Sequence, residues 1–137
     1  MAIILSCHRG IGHSVTGIAL VAADNFSARY DLDREKGVFS RPAHRLYGQS
    51  YVGRVLVLRT AKGGVASAWM LREMVVTGRA PAALLFNDVN PILAQGAAFG
   101  DLTLLDRFAE GDVTALIATG DELSIEPELG RVTILNR

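Results

Sequence analysis

The chain has 137 residues, with 14 Lys and Arg against 14 Asp and Glu, a formal net charge of zero, and 50% hydrophobic residues. That length suits one domain, residues 1–137, with a real core. No basic surplus favours nucleic acid or an anionic membrane, and a charge near zero leaves little self-repulsion, so a homo-oligomer is an open possibility for the isolated chain. Cys7 is the only cysteine. Alone it makes no internal disulfide and holds neither zinc nor an iron–sulfur cluster. The apolar run after Met1 is too short for a signal peptide or a membrane span, so a cytoplasmic location is expected.

In chain order, "AIILSCH" and "VTGIALVA" read as strands, with "RGIGHS" as turn material between them. "DNFSARYDLDREKGVFS" is polar, and "REKG" reads as a tight turn leading into "VFS". "RPAHRLYGQS" reads as loop. "RVLVL" (54–58) is continuously apolar, the pattern of a central strand covered on both faces. "VASAWMLREMVVTG" (65–78) predicts a helix with Val65, Trp69, Leu71, Met74 and Val75 on one broad face, stopped by Gly78. Trp69 is expected in the core or as an interface anchor. "APAALLF" (80–86) predicts the next buried strand, so 54–86 forms a βαβ unit.

Asn90 is a plausible N-cap with Pro91 at the first helical position; that helix should reach about Phe99 and stop at Gly100. "LTLLDRFAEGD" predicts a short strand and a turn of helix. "VTALIAT", "ELSIE" and "RVTIL" predict three short strands in a meander-like end. The expected class is mixed α/β, a parallel core with antiparallel additions and helices on one side.

The chemistry-bearing candidates lie mostly in loops. "TAKGG" (60–64) joins a strand to a helix start, where free N–H groups and the helix dipole suit an anion. Lys62 adds a positive charge, Gly63 and Gly64 permit close backbone approach, and Ser67 offers a hydroxyl in the first helical turn. The competing reading is a tight turn whose glycines serve geometry only; the spacing is not that of a P-loop. His8, His13 and His44 are not at ligand spacing, so no metal site is expected. His44 lies beside Arg41, Arg45 and Tyr47, a group that binds an acidic partner or is simply solvated. Asp31 and Asp33, near Arg29 and Tyr30, are a carboxylate pair suited to acid–base work if enclosed in a cleft, and otherwise a solvated patch.

The blocks "GQSYVGRVLVL", "TGRAPAALLF" and "NPILAQGAAFG", in that order and spacing, resemble the small subunit, or swivelling domain, of the aconitase X enzymes. The resemblance covers nearly the whole chain, from about Gly12 onward. It implies a three-layer β/β/α swivelling domain that closes over the active site of a hydro-lyase. The family's substrate classes are a cis-3-hydroxyproline in bacteria and mevalonate 5-phosphate in archaea. It also implies a large partner subunit holding an iron–sulfur cluster through its own cysteines, with no cofactor bound by this chain.

In that family the loop after the central strand usually reads Gly-Arg-Gly-Ser, and its Ser is the expected catalytic hydroxyl. Ungapped placement puts Ala61, Lys62, Gly63 and Gly64 there. Gly64 thus stands at the Ser position, and Ser67 is the nearest substitute. The family's Phe-Ser-x-Trp-Gly-Gly-x-Asp reads "FSARYDLD" here: Phe26, Ser27 and Asp33 are kept, while Arg29, Tyr30 and Asp31 replace Trp-Gly-Gly. His44 matches the family's loop His. The resemblance therefore implies Lys62, Gly63, Gly64, His44, Ser27 and Asp33 as substrate-binding residues. It leaves two readings open: a divergent hydro-lyase subunit, or a non-catalytic binding subunit that has lost its Ser.

Overall fold

The structure, a computed structural model, describes residues 2–137. Its elements are β1 (Ile3–Ser6), β2 (Val15–Val21), β3 (Leu32–Asp33), β4 (Val38–Phe39), β5 (Val55–Val57), α1 (Val65–Val76), β6 (Ala83–Leu85), α2 (Pro91–Gly100), β7 (Thr103–Leu105), α3 (Val113–Leu116), β8 (Glu122–Glu126) and β9 (Arg131–Asn136). Seven strands form one sheet in the order β1-β9-β8-β2-β5-β6-β7, and β3 and β4 form a separate hairpin. The half from β2 to β7 is parallel; β8, β9 and β1 add antiparallel pairs.

The apolar run of β5 explains the layering. Val55 and Val57 enter one core, with Leu123 and Ile125 of β8 and Val132 and Ile134 of β9. Leu56 and Leu58 enter the other, with Leu71 and Met74 of α1 and Leu93 and Ala97 of α2. Successive side chains of a strand point to opposite faces, so a run that is apolar at every position needs a cover on both. The antiparallel strands cover one face and the helices the other, which gives the expected mixed α/β, three-layer β/β/α arrangement.

Three local expectations are corrected. "VTAL" is not a strand but α3. Asp112 accepts from the Thr114 N–H at 3.0 Å, and Asn87, distant in sequence, accepts from the Val113 N–H at 2.8 Å. These caps override the β-branched composition. The stretch after β7 makes no helical turn before α3; Arg107 there takes a positive φ of 61°.

α2 ends at Gly100, as expected. That glycine is the last helical residue, and Asp101 takes the left-handed cap at φ 55°. Gly96 and Gly100 also serve packing: a Cβ at Gly96 would come within 2.6 Å of the Ala68 Cα, and one at Gly100 within 3.0 Å of the Arg72 Cα. The helices cross so closely that one face of α2 must lack side chains.

That crossing also corrects the face of α1. Ser67, Ala68, Leu71 and Met74 are its buried residues. Val65 and Trp69 are 63% and 59% exposed, so Trp69 is not a core residue; its ring stacks on Phe99 of α2. No helix is long and apolar enough to cross a membrane.

Candidate functional site

Parallel strands end together, and the loops leaving their carboxyl ends gather at one edge. Here backbone hydrogen bonds lace three of these loops. The Phe26 N–H donates to the Thr60 carbonyl at 2.8 Å, and the Lys62 N–H donates to the Phe26 carbonyl at 2.7 Å. Arg59 donates to Asp24 and Asn87 to Arg59, both at 2.9 Å. Beyond β2, β5 and β6 the chain thus forms a fixed rim rather than three independent loops.

Two adjoining clefts open on this rim. One, of about 520 Å³, is lined by Asp24, Ser27, Asp31, Arg41, Arg59 and Lys62 among others. The second, of about 390 Å³, runs along Ser27, Tyr30, Lys62, Gly63, Gly64 and Ser67. Ser27, Tyr30 and Lys62 are common to both. Arg59 and Lys62 are exposed, and among the described residues neither makes a salt bridge. An anion entering there meets two uncommitted cations.

The glycine loop has a defined shape. Gly63 has φ 123°, a region that L side chains rarely adopt, and a Cβ there would collide with the Ser67 side chain. Gly64 is the N-cap of α1, with φ −118° and no side-chain cap. A Cβ at Gly64 would meet nothing within 4 Å. Gly63 is thus required by geometry, while at Gly64 there is room for a side chain. Ser67 is only 3% exposed, tucked beneath Gly63, and reaches the second cleft from that side. Asn90 ties the loop down: its Nδ2 donates to the Gly63 carbonyl at 3.3 Å while its Oδ1 caps α2 at the Leu93 N–H.

Two of the expected substrate-binding residues lie away from both clefts. His44 does not line either cleft; its side chain is wholly enclosed. Its Nδ1 accepts from the Leu46 N–H at 3.1 Å, and its Nε2 donates to the Asn25 carbonyl at 3.0 Å, which fixes the tautomer. The ring stacks on Phe39 at 4.7 Å. His44 is a brace between the 41–48 loop and the rim. Asp33 sits in the β3–β4 hairpin, where Oδ1 accepts from the Glu35 and Lys36 N–H groups at 3.1 Å. It faces a different depression, lined by Arg29, Arg34 and Glu73 among others.

Asp31, two residues earlier, lines the larger cleft, as Asp24 does. Its Oδ2 accepts from the Ser27 N–H at 2.8 Å, and its Oδ1 accepts from Arg41 Nε. Sequence reasoning also missed Arg59. The signal was its place as the first polar residue after "VLVL", at the carboxyl end of a central parallel strand.

Among the described residues no group of three His, Cys, Asp and Glu could hold a metal. Cys7 is half-buried; burial foremost, and then the charges of Asp106 and Glu110, push its thiol up to about 12. A cluster needs thiolates, so this chain's residues do not fit one.

The aconitase X swivel domain family matches residues 4–134. The chain belongs to that family. A phosphomevalonate dehydratase small subunit from Methanothrix thermoacetophila is 38% identical over 106 residues, 77% of each chain. Another, from Methanocella arvoryzae, is 30% identical over 127 residues, covering 93% of this chain and 96% of the relative. The fold matches the crystal structure of Thermococcus kodakaraensis aconitase X in its holo form, with a TM-score of 0.89 at 23% identity over 98% of this chain and 99% of that one.

Proposed function

We propose that this chain is the small subunit of an aconitase-X-type hydro-lyase that removes water from a phosphorylated hydroxy acid. The observation that carries the reading is the cationic cleft, in which Arg59 and Lys62 stand beside the glycine loop and the start of α1. A phosphorylated acid brings both a phosphate and a carboxylate, and a cleft with several cations suits two anionic groups better than the single carboxylate of a hydroxyproline-type substrate. The relatives named phosphomevalonate dehydratase small subunits support that class. The chain acts as the lid of a site whose iron–sulfur cluster lies in a large partner subunit.

Elimination of water takes a hydroxyl from one carbon and a proton from its neighbour. This chain's part is to hold the anionic ends and to handle a proton at a hydroxyl. Ser67 is that hydroxyl, in the first turn of α1, where free N–H groups favour negative charge on oxygen. Lys62 and the Gly63–Gly64 backbone hold an anion; Ser27 flanks it.

The second reading, a binding subunit without a catalytic group, is favoured by the open space at Gly64, where the family's hydroxyl is absent. Two variants of the reconstituted complex separate them. If Ser67 acts, Ser67→Ala lowers kcat by about a hundredfold or more with the complex intact. If the loop is vestigial, Ser67→Ala leaves turnover unchanged and Gly64→Ser raises it.

A further inference from the structure

We infer that Arg41 is a third anion-recognising residue of the cleft, and that the buried Asp31 is the positioning residue that aims it. The inference deepens the proposed function by adding a specificity element for the substrate's second anionic group, and it rests on that reading for the identity of the substrate.

Asp31 is 3% exposed, and the buried His44 Nε2, which donates to the Asn25 carbonyl, stands 3.9 Å from its Oδ2. Its oxygens are taken by the Ser27 N–H and by Arg41 Nε. A buried carboxylate is costly unless it is paired and hydrogen-bonded, and here both conditions are met from the cleft side. Backbone bonds secure the same junction from the other direction: the N–H groups of Ser40 and Arg41 donate to the Asp31 carbonyl at 2.8 and 3.3 Å. The Arg41 side chain is 41% exposed and lines the larger cleft with Arg59 and Lys62.

A guanidinium carries five N–H donors in a rigid fork. Only Nε of Arg41 is engaged, so the four donors on its two terminal nitrogens remain for a ligand. An arginine held by its Nε has lost rotamer freedom in advance, so binding costs less ordering. Nearby Arg45 is different: it pairs with Asp24 at 3.4 Å and does not line the cleft. The chemistry recognised is a phosphate or carboxylate oxygen pair.

The test is a titration of the full chain with inorganic phosphate, following the amide signals of Ser27, Tyr30 and Lys62. Saturable shifts are expected in the parent. Arg41→Gln should weaken the affinity by roughly fivefold or more, and Arg41→Lys should recover part of it without the fork geometry. Asp31→Asn gives opposite signs for the two roles. If Asp31 only adds negative charge near the anion, its removal tightens binding. If it aims Arg41, its removal weakens binding while Asp31→Asn melts close to the parent. Unchanged affinity in Arg41→Gln, or tighter binding in Asp31→Asn, overturns the inference. Turnover is not read, so failure here leaves the hydro-lyase reading standing. Conversely, a reconstituted complex that eliminates no water while the phosphate results hold removes that reading alone.

Discussion

Asn90 hydrogen-bonds in two directions: its Oδ1 caps α2 at the Leu93 N–H, and its Nδ2 holds the Gly63 carbonyl of the cleft loop. One side chain thus joins the start of the second helix to the turn before the first. Asn90→Ala should lose about 1 kcal/mol of stability through the missing cap. Asn90→Asp keeps an acceptor for the cap and loses only the donor to Gly63. It should therefore unfold near the parent's urea midpoint but exchange the Gly63 and Gly64 amides faster. Equal amide protection in Asn90→Asp would show that the loop does not depend on this bond.

The glycines divide by what surrounds them. Gly96→Ala forces a methyl against the Ala68 backbone and should cost about 1–3 kcal/mol as overpacking between α1 and α2. Gly64→Ala meets open space at a permitted φ and should stay within about 0.5 kcal/mol of the parent. Urea unfolding of both variants checks the contrast, and equal losses would contradict the close helix crossing.

His44 is a brace. His44→Ala should cost about 2–4 kcal/mol through its two hydrogen bonds and the cavity beside Phe39. A stable His44→Ala chain with weakened phosphate affinity would instead make His44 a ligand contact.

Acid should weaken the fold through two carboxylates. Burial opposes the charge on Asp121, but hydrogen bonds from Arg137 and the Ala118 N–H outweigh it and hold the carboxyl below its ordinary range. Asp112 is lowered first by its hydrogen bond from Asn87 and then by Thr114. A depressed folded pKa means that the folded state binds fewer protons than the unfolded chain. The stabilisation is therefore present above about pH 4 and is lost as pH falls through the folded value. Urea midpoints measured from pH 7 down to pH 3 should fall, and Asp121→Asn should flatten that limb. An unchanged slope in the variant would exclude Asp121 as a source.

The central strands and the α2 cap were legible because their signals are local: an unbroken apolar run, and Asn-Pro before a periodic segment. α3 was not, because Asn87, which accepts from the Val113 N–H, lies 26 residues away. Gly100 reads as the end of α2, which it is, but the packing role it shares with Gly96 emerges only from the approach of α1. At the site, Lys62 and the glycine loop follow from the strand–turn–helix pattern, and Ser27 from the family resemblance. Asp31 and Asp33 could not be ranked from sequence: they lie two apart, and the turn geometry alone sends one to the cleft and the other into the hairpin. The enclosure of His44 was not legible, because nothing in "RPAHRLYG" announces that Phe39 covers its ring.

The most direct measurement is dehydration of phosphomevalonate by the large subunit, purified anaerobically, with and without this chain. The account predicts water elimination only when both are present, with Lys62→Ala raising KM by about tenfold through loss of a charge-assisted contact. Equal turnover by the large subunit alone, or an assembled complex that eliminates no water from phosphomevalonate, would contradict it.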